Sequence, residues 1–180
     1  MLLDYFTNKF SLSFISSKSD YFFAEGEIEK ETYVLIRPST YVNNSGKAAF
    51  EAIKNYGAES KDFLVLLDDI NLEFSKLRIR SSGGDGGHNG LSSIIYSLST
   101  TQFPRLRIGI GKAFNKGNMA DFVLTNFDKK EIKVLEKTFS TGSVLIEEFI
   151  KGGLERMLDA NSRLSKLSQD ENLIDRANEN

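Results

Sequence analysis

A glycine-rich loop between a strand pattern and a helix pattern is the feature that most constrains this chain. The segment Arg78–Gly90 reads RIRSSGGDGGHNG and holds Gly83, Gly84, Gly86 and Gly87 within five positions. Glycine permits positive φ and lets a ligand approach the backbone closely, and a loop that leads into a helix points free N–H groups outward. The loop therefore predicts a binding site for phosphate or another anionic oxygen.

Apolar periodicity on either side of this loop predicts a domain of the α/β class. The apolar run Phe63–Leu67 is typical of a central strand covered on both faces, and Gly57 is a typical helix end. We expect a three-layer domain with a mixed, mainly parallel sheet and helices on both faces. The predicted elements are helix 1–10, strands 21–28 and 32–37 of a hairpin, helix 49–56, strands 63–67 and 76–80, helix 91–98, strand 105–110 and helix 129–150 broken near Gly152.

Length and composition favour a single cytoplasmic domain. The chain has 180 residues, no cysteine and no apolar run long enough to span a membrane. We assign residues 1–160 to one α/β domain and residues 161–180 to a polar C-terminal tail. The absence of cysteine excludes disulfides and thiolate metal sites.

Positive charge is concentrated around the glycine loop. The net charge is −2, but the stretch 76–116 holds seven basic residues and one acid, which leaves −8 for the rest of the chain. Focused positive potential attracts phosphates even when the whole molecule is acidic, so one face is expected to hold a polyanion. An ordinary solvated face explains the charge equally well.

Four polar residues are candidates for chemistry at one end of the sheet: Asn43, Asp68, His88 and Asn89. Carboxamides can hold a water or polarise a carbonyl without changing charge. Asn43 and Asn89 each precede a helix, where Asn is also a preferred cap. Asp68 either caps a turn or orients a histidine, and His88 is more often a hydrogen-bonded packing residue than a base in such a place.

Metal and nucleotide chemistry are poorly supported. One histidine and the adjacent pair Asp68 and Asp69 fall short of a metal site. The glycines are followed by HNG and not by GK[ST], and their spacing does not match GxGxxG. We therefore expect no metal and no cofactor.

These residues lie in stretches that resemble the bacterial peptidyl-tRNA hydrolase family. The similar stretches are RPSTYVNNSGKA (Arg37–Ala48), the segment Leu66–Ile94 that contains GGHNGL, FPRLRIGIGK (Phe103–Lys112) and FVLTNF (Phe122–Phe127). The resemblance implies hydrolysis of the ester that joins a peptide to the 3′ ribose of a tRNA, which recycles the tRNA without metal or cofactor. It also implies a monomeric mixed-sheet α/β domain.

The resemblance assigns roles to individual positions. Asn43 and Asn89 match the family's substrate-binding and water-positioning asparagines, and Tyr41 matches a residue that contacts the tRNA end. Asp68 matches the acid that orients the general-base histidine. Arg80 and Arg107 match basic positions near the tRNA 5′ phosphate, which gives the basic face a specific partner.

The general base itself has no match. In the family it lies upstream, on the first strand and its loop, whereas this chain begins within the helix that follows. We therefore expect roughly two dozen residues, one strand and its loop, to be absent. His88 is the only histidine and matches the family's second histidine instead.

Three functions are compatible with this sequence. The leading one is an esterase acting on peptidyl-tRNA, with water activated by a histidine that this chain lacks. The alternative is a non-catalytic RNA-binding remnant of the same fold that uses Arg80, Arg107 and the glycine loop. A phosphate- or nucleotide-binding α/β enzyme unrelated to tRNA rests on the glycine loop alone.

Overall fold

The computed structural model describes residues 1–112 and 119–178 and contains helices packed on two three-stranded sheets. Strand order is β1-β2-β3 in the first sheet and β4-β6-β5 in the second. The α/β class is confirmed. The elements are α1 (Leu2–Lys9), β1 (Ile15–Ser16), β2 (Tyr21–Ile28), β3 (Glu31–Pro38), α2 (Ser45–Tyr56), β4 (Val65–Asp69), β5 (Leu77–Arg80), α3 (Asn89–Leu98), β6 (Arg105–Gly109), α4 (Met119–Leu124) and α5 (Lys129–Asn178).

The predicted β-hairpin is confirmed as strands β2 and β3. Its turn consists of Glu29 and Lys30, with φ of 52° and 74°. Two consecutive residues with positive φ give the turn twist that suits paired antiparallel strands. The turn sets the register, so that Ile28 lies opposite Glu31 and Tyr21 opposite Pro38.

The second sheet corrects two expectations about the strands. β4 was expected to be central, but β6 is the central strand of this sheet, with β4 parallel on one side and β5 antiparallel on the other. Because the pairs in the first sheet are antiparallel as well, the prediction of a mainly parallel sheet is wrong. Parallel pairing needs a long crossover, and within the sheets described here only the connection through α3 from β4 to β6 supplies one.

The apolar run in β4 indicates that both faces of the strand are buried. It does not indicate whether the strand is central or at the edge of the sheet. Val65 and Leu67 pack with residues of α2 and α3, whereas Leu66 packs against the cluster formed with α1 and α5. Both faces are therefore covered, as predicted, and the domain has three layers. Pairing at the edges of a strand does not change its apolar pattern, since the hydrogen bonds between strands are made by backbone groups.

The larger core lies between the sheets and helices α1 and α5. The side chains that are almost completely buried there are Phe6, Leu106, Leu135, Leu145 and Met157. Burying large apolar side chains of this kind stabilises a fold by about 1.5–3 kcal/mol each. This core anchors β6, which carries Arg105 and Arg107.

Helices α2 and α3 pack at backbone distance on the opposite face. A Cβ at Gly46 would lie 2.1 Å from the carbonyl oxygen of Ser93, so a larger residue does not fit without displacement. The Gly46 amide donates to Ser93 Oγ at 3.0 Å. This close contact brings the start of α2 beside α3 and sets the relation of the two loops that precede them.

The predicted break in the last helix is confirmed. Gly152 and Gly153 have non-helical backbone angles inside α5. Beyond this kink the helix continues to Asn178, and Leu164 packs against the larger core, so the first part of the predicted polar tail is helical. The division of the chain at residue 160 stays a prediction. Part of the glycine- and lysine-containing stretch before α4, residues 113–118, lies outside the described residues.

Candidate active site

An aspartate and the histidine meet at the carboxyl end of β4. His88 Nε2 lies 3.1 Å from Asp68 Oδ1, and the side chains are 20% and 45% exposed. His88 Nδ1 accepts a hydrogen bond from the Leu91 amide at 3.1 Å, which makes His88 the N-cap of α3. In the neutral imidazole the Nε2 hydrogen therefore points to Asp68, and the Nδ1 lone pair is used by the helix.

The two groups shift each other's protonation. The hydrogen bond to Asp68 raises the pKa of His88 above its usual value, although burial opposes the charged form. Burial acts most strongly on Asp68 in the opposite sense, but the hydrogen bond and charge of His88 together outweigh it and lower the pKa of this carboxyl. Protonation of Nδ1 costs the bond to Leu91, so the carboxylate must compensate for that loss.

We expect the pair to stabilise the fold most between about pH 4 and pH 6.5. The raised pKa of His88 makes its contribution complete below the unfolded value of 6.5, and this contribution is lost as pH rises through the folded value. The lowered pKa of Asp68 makes its contribution present above 3.8 and lost as pH falls. Asp68→Asn should therefore lower the melting temperature near pH 5.5 by a few degrees, equivalent to about 0.5–1 kcal/mol because the pair is partly exposed.

The same comparison at a pH above the folded-state pKa of His88 should give a smaller difference, since His88 is then neutral in both states. Asp20→Asn is the matched control, because the Asp20 carboxylate pairs with the exposed Lys47, which stays charged through this range. A loss in Asp68→Asn that grows with pH would contradict the assignment.

The glycine loop reaches α3 through left-handed turns. Gly83, Gly86 and Gly87 have φ of 129°, 61° and 84°, a region that glycine adopts without strain. Asp85 organises the turn, since its carboxylate accepts from the Gly87 amide at 2.7 Å and its carbonyl accepts from the His88 amide at 3.2 Å. The loop therefore presents His88 and the residue after it at the start of α3.

Asn43 lies in a short 3-10 helix before α2, Val42–Asn44, and Asn89 is the first residue of α3, directly after His88. Both side chains are exposed, and neither forms a hydrogen bond to the residues described. The cap of α3 is His88, and the cap of α2 is Asn44, so neither Asn43 nor Asn89 acts as a cap here. The capping alternative is therefore wrong for both, and the carboxamides are available to a ligand.

A close contact at Gly90 brings the segments that carry these two asparagines together. A Cβ at Gly90 would lie 2.8 Å from Val42 Cγ2 and 3.0 Å from His88 Cε1, so Gly90 sits directly against both residues. Val42 and Gly90 adjoin Asn43 and Asn89 in the sequence. Tyr41 precedes them and is 86% exposed, which leaves its ring free to contact a substrate.

Four arginines share the sheet face beneath the glycine loop, and we call this surface the arginine face: Arg78, Arg80, Arg105 and Arg107. Arg80 lies opposite Arg105, and Arg78 lies opposite Arg107. Residues paired across antiparallel strands project from the same face, and like charges placed opposite each other are destabilising. Such a face favours an anion. Of the lysines expected to add to it, Lys116 lies outside the part of the chain that the structure describes.

Asp69 has a different role from Asp68. Its carboxylate is almost fully buried and lies 3.2 Å from Arg107 Nε, at an angle that does not make a hydrogen bond. The other oxygen, Oδ1, accepts from the Asn71 amide at 2.8 Å. Arg107 also borders the glycine loop, since a Cβ at Gly86 would lie 3.2 Å from Arg107 Nη2. Asp69 thus fixes Arg107 beside the loop.

A model of the peptidyl-tRNA hydrolase family matches residues 1–170. The chain belongs to the peptidyl-tRNA hydrolase family. It is 42% identical over 130 residues to the Alkaliphilus oremlandii peptidyl-tRNA hydrolase, covering 72% of this chain and 70% of that one. It is 37% identical over 158 residues to the Chlorobaculum parvum peptidyl-tRNA hydrolase, covering 87% and 83%.

Solved structures of peptidyl-tRNA hydrolases share the fold. A crystal structure of an Acinetobacter baumannii peptidyl-tRNA hydrolase variant has a TM-score of 0.81 and 25% identity, and the match covers 88% of this chain and 80% of that one. The chain is thus an enzyme of this family. Among the side chains that the structure describes, no group of three or more histidine, aspartate or glutamate residues is placed to hold a metal ion. None of the helices in the described ranges has the length and apolar character that a membrane span requires.

The sequence singles out most of the residues that the structure brings together at this candidate site, and their roles stay predictions, but it does not single out Arg105 or Gly90. In the sequence Arg105 is one of seven basic residues in a charged stretch, but in the structure it is 2% exposed and lies beneath the glycine loop. Gly90 joins the two segments that carry Asn43 and Asn89. The alternation of Arg105 and Arg107 with apolar residues in β6 is the signal that places both arginines on one face.

Proposed function

We propose that the protein hydrolyses the ester bond between peptide and tRNA in peptidyl-tRNA and so recycles the tRNA, as a monomer in the cytoplasm without metal or cofactor. The observation that carries the proposal is the close contact of Gly90 with Val42 and His88, which brings together the segments that bear the exposed carboxamides Asn43 and Asn89. His88 pairs with Asp68, and the glycine loop that leads to Asn89 lies against Arg107. The carboxamides suit an ester and a water molecule, and the arginines suit phosphate.

The reaction needs only positioned polar groups and a base. A water oxygen bonds to the ester carbonyl carbon while the base takes its proton, and the carbon–oxygen bond to the ribose then breaks. The ribose oxygen leaves with a proton, so the products are a free peptide carboxyl group and a tRNA 3′ hydroxyl. Asn43 and Asn89 hold the acyl end and the water, and the exposed ring of Tyr41 contacts the tRNA end.

The arginine face supports tRNA binding in this proposal. Arg80 is exposed at the end of β5, and Arg107 is held by Asp69 with 19% of its side chain accessible. Guanidinium groups bind phosphate through paired N–H donors. We assign these two residues to the 5′ phosphate of the tRNA.

His88 is poorly placed to act as the base. Its Nδ1 lone pair accepts from the Leu91 amide, and its Nε2 faces Asp68, so no free lone pair faces a water. It is also the only histidine of the sequence. We therefore propose that the base is a histidine outside these 180 residues, and that the half-exposed Asp68 carboxylate orients it.

A non-catalytic RNA-binding protein is the alternative. The engaged state of His88 favours it, because binding uses the arginine face and the exposed asparagines but needs no base. The two functions share affinity for tRNA and differ in turnover.

The test combines binding and hydrolysis on N-acylated aminoacyl-tRNA. We expect affinity to fall steeply with salt, and Arg80→Ala should reduce the slope of log affinity against log salt by about 1. Hydrolysis by this chain should be detectable but about 10²–10⁴-fold slower than that of the Alkaliphilus relative, since a general base contributes that much. Arg163→Ala, the same charge change at an exposed position of α5, should leave the salt slope unchanged.

Each outcome separates the proposals. Binding with no hydrolysis above the uncatalysed rate would support the RNA-binding alternative. Full activity that is abolished by His88→Ala would make His88 the base. Equal affinity for tRNA at low and high salt would contradict both functions, because neither could then use the arginine face.

A further inference from the structure

Arg105 has an environment unlike that of the other arginines on its face. Its side chain is 2% exposed, and its guanidinium carbon lies 4.6 Å from the ring centre of the fully buried Phe103. Its Nε is buried without a hydrogen-bond partner among the residues described, and burial, followed by the charge of Arg107, lowers its pKa. The Nε of Arg107 is buried in the same way, but 19% of the Arg107 side chain is exposed. Because Arg105 is almost fully buried, it is not placed to bind an external phosphate.

The two terminal nitrogens of Arg105 join the segments on either side of α3. Nη1 donates to the carbonyl of Gly84 at 3.2 Å, and Nη2 donates to the carbonyl of Thr101 at 3.2 Å. Gly84 lies in the glycine loop before the helix, and Thr101 lies just after it. One planar guanidinium thus holds the entrance and the exit of α3 to β6.

We call these two hydrogen bonds of Arg105, to the carbonyls of Gly84 and Thr101, the clamp. The chain leads from the clamp directly to the residues of the candidate site. From Gly84 the chain passes to Asp85, whose two hydrogen bonds set the turn at Gly87 and His88. His88 then caps α3 and contacts Asp68, and Asn89 is the first residue of the helix. Since three glycines in this loop adopt left-handed angles and have no side chains to anchor them, the fixed point at Gly84 limits where His88 and Asn89 can lie.

We propose that Arg105 is a positioning residue for the ester-hydrolysing site: its buried guanidinium fixes the glycine loop at Gly84 and thereby the orientation of His88 and Asn89. The proposal deepens the proposed function and rests on it. A lysine cannot replace the clamp, because an ammonium group on a single stem does not span two carbonyls as a planar fork does.

The single histidine makes the test direct. In nitrogen-15 NMR spectra of the wild-type chain above the His88 pKa, the ring nitrogens should show one protonated nitrogen, Nε2, and one unprotonated nitrogen, Nδ1. Arg105→Lys should bring the two ring signals toward a common average as the tautomers mix. Exchange of the Leu91 amide hydrogen, which His88 Nδ1 accepts, should become about tenfold faster or more, with amides of α5 unchanged.

Arg78→Lys is the matched control, because it makes the same substitution at an exposed position of the neighbouring strand. It should leave the His88 ring signals and the Leu91 exchange rate as in wild type. Wild-type ring signals in Arg105→Lys would overturn the proposal. Faster exchange spread equally over all helices would also overturn it, since Arg105 would then only stabilise the fold.

A second variant addresses the clamp from the side of the loop. Gly83 has φ of 129°, and a Cβ there would lie 3.4 Å from Arg105 Nη1. Gly83→Ala should strain the loop where it meets Arg105 and produce the same change at His88, even if Arg105→Lys does not fold. Unchanged ring signals in folded Gly83→Ala would count against the clamp. The His88 ring signals and the Leu91 exchange rate can be measured without turnover. The absence of hydrolysis would therefore contradict the proposed function but would not affect this test.

Discussion

Asn89→Ala is expected to lower the rate of hydrolysis of N-acylated aminoacyl-tRNA by about 100-fold or more, which is the usual effect of removing one polar group that stabilises a transition state. Its carboxamide is exposed at the start of α3, beside the Asp68–His88 pair, and makes no hydrogen bond within the described chain. The melting temperature should stay within about 1 °C, since the helix is capped by His88.

The role of Asn89 can also be tested by measuring the affinity for tRNA, which does not depend on turnover. In the proposed complex Asn89 and Asn43 contact the acyl end, whereas the arginine face contacts phosphate. Asn89→Ala should therefore remove most of the preference for acylated over deacylated tRNA and leave the affinity for deacylated tRNA unchanged. Asn8→Ala, an exposed substitution on α1, is the control and should change neither value.

A loss of stability equal to the loss of activity would contradict this assignment. That result would mean that Asn89 supports the helix and does not act on substrate. An unchanged preference for acylated tRNA would remove Asn89 from the acyl site as well.

Arg107→Ala is expected to destabilise the fold by about 3 kcal/mol, because it leaves the buried Asp69 carboxylate without its cation. Asp69 is 4% exposed, and its carboxylate accepts a hydrogen bond from the Asn71 amide, which carries no charge to replace that of Arg107. For a chain of this size the loss corresponds to a fall in melting temperature of about 6–12 °C. Thermal unfolding followed by circular dichroism measures it.

A double substitution tests the cause of that loss. Asp69→Asn removes the charge but keeps an oxygen for the Asn71 amide, so Arg107→Ala combined with Asp69→Asn should regain at least half of the lost stability. Arg78→Ala is the control, since Arg78 is exposed opposite Arg107 and its removal relieves repulsion between like charges. Additive losses in the double variant would show that the pair is not coupled.

Local patterns predicted most of the elements of this fold. The turn residues Glu29 and Lys30, the helix end at Gly57 and the break at Gly152 and Gly153 lie where the sequence places them. These features depend on a few neighbouring residues, so their signals survive without tertiary context. The strand order of the sheet could not be predicted from the sequence. The apolar run in β4 indicates that both faces are buried, but it does not indicate which edges of the strand are paired.

The candidate site also has features that the sequence predicts and features that only the structure shows. The exposure of Asn43 and Asn89 could not be separated from helix capping by sequence, since both roles call for asparagine before a helix. The structure shows that Asn43 and Asn89 are not caps, because Asn44 and His88 occupy the cap positions of α2 and α3. Asp68 and Asp69 are equivalent in sequence, yet one contacts His88 and the other holds Arg107.

The sequence by itself determined the class of the domain, the glycine loop with its demand for left-handed angles, the local excess of positive charge and the resemblance to peptidyl-tRNA hydrolases. Only the tertiary structure decided that Arg105 is buried as a clamp while Arg80 remains exposed, and that Gly90 brings together the two segments that carry Asn43 and Asn89. The physical reason is that charge and backbone freedom belong to individual residues. Burial, pairing and hydrogen-bond partners depend on atoms that are distant in the chain and adjacent only after folding.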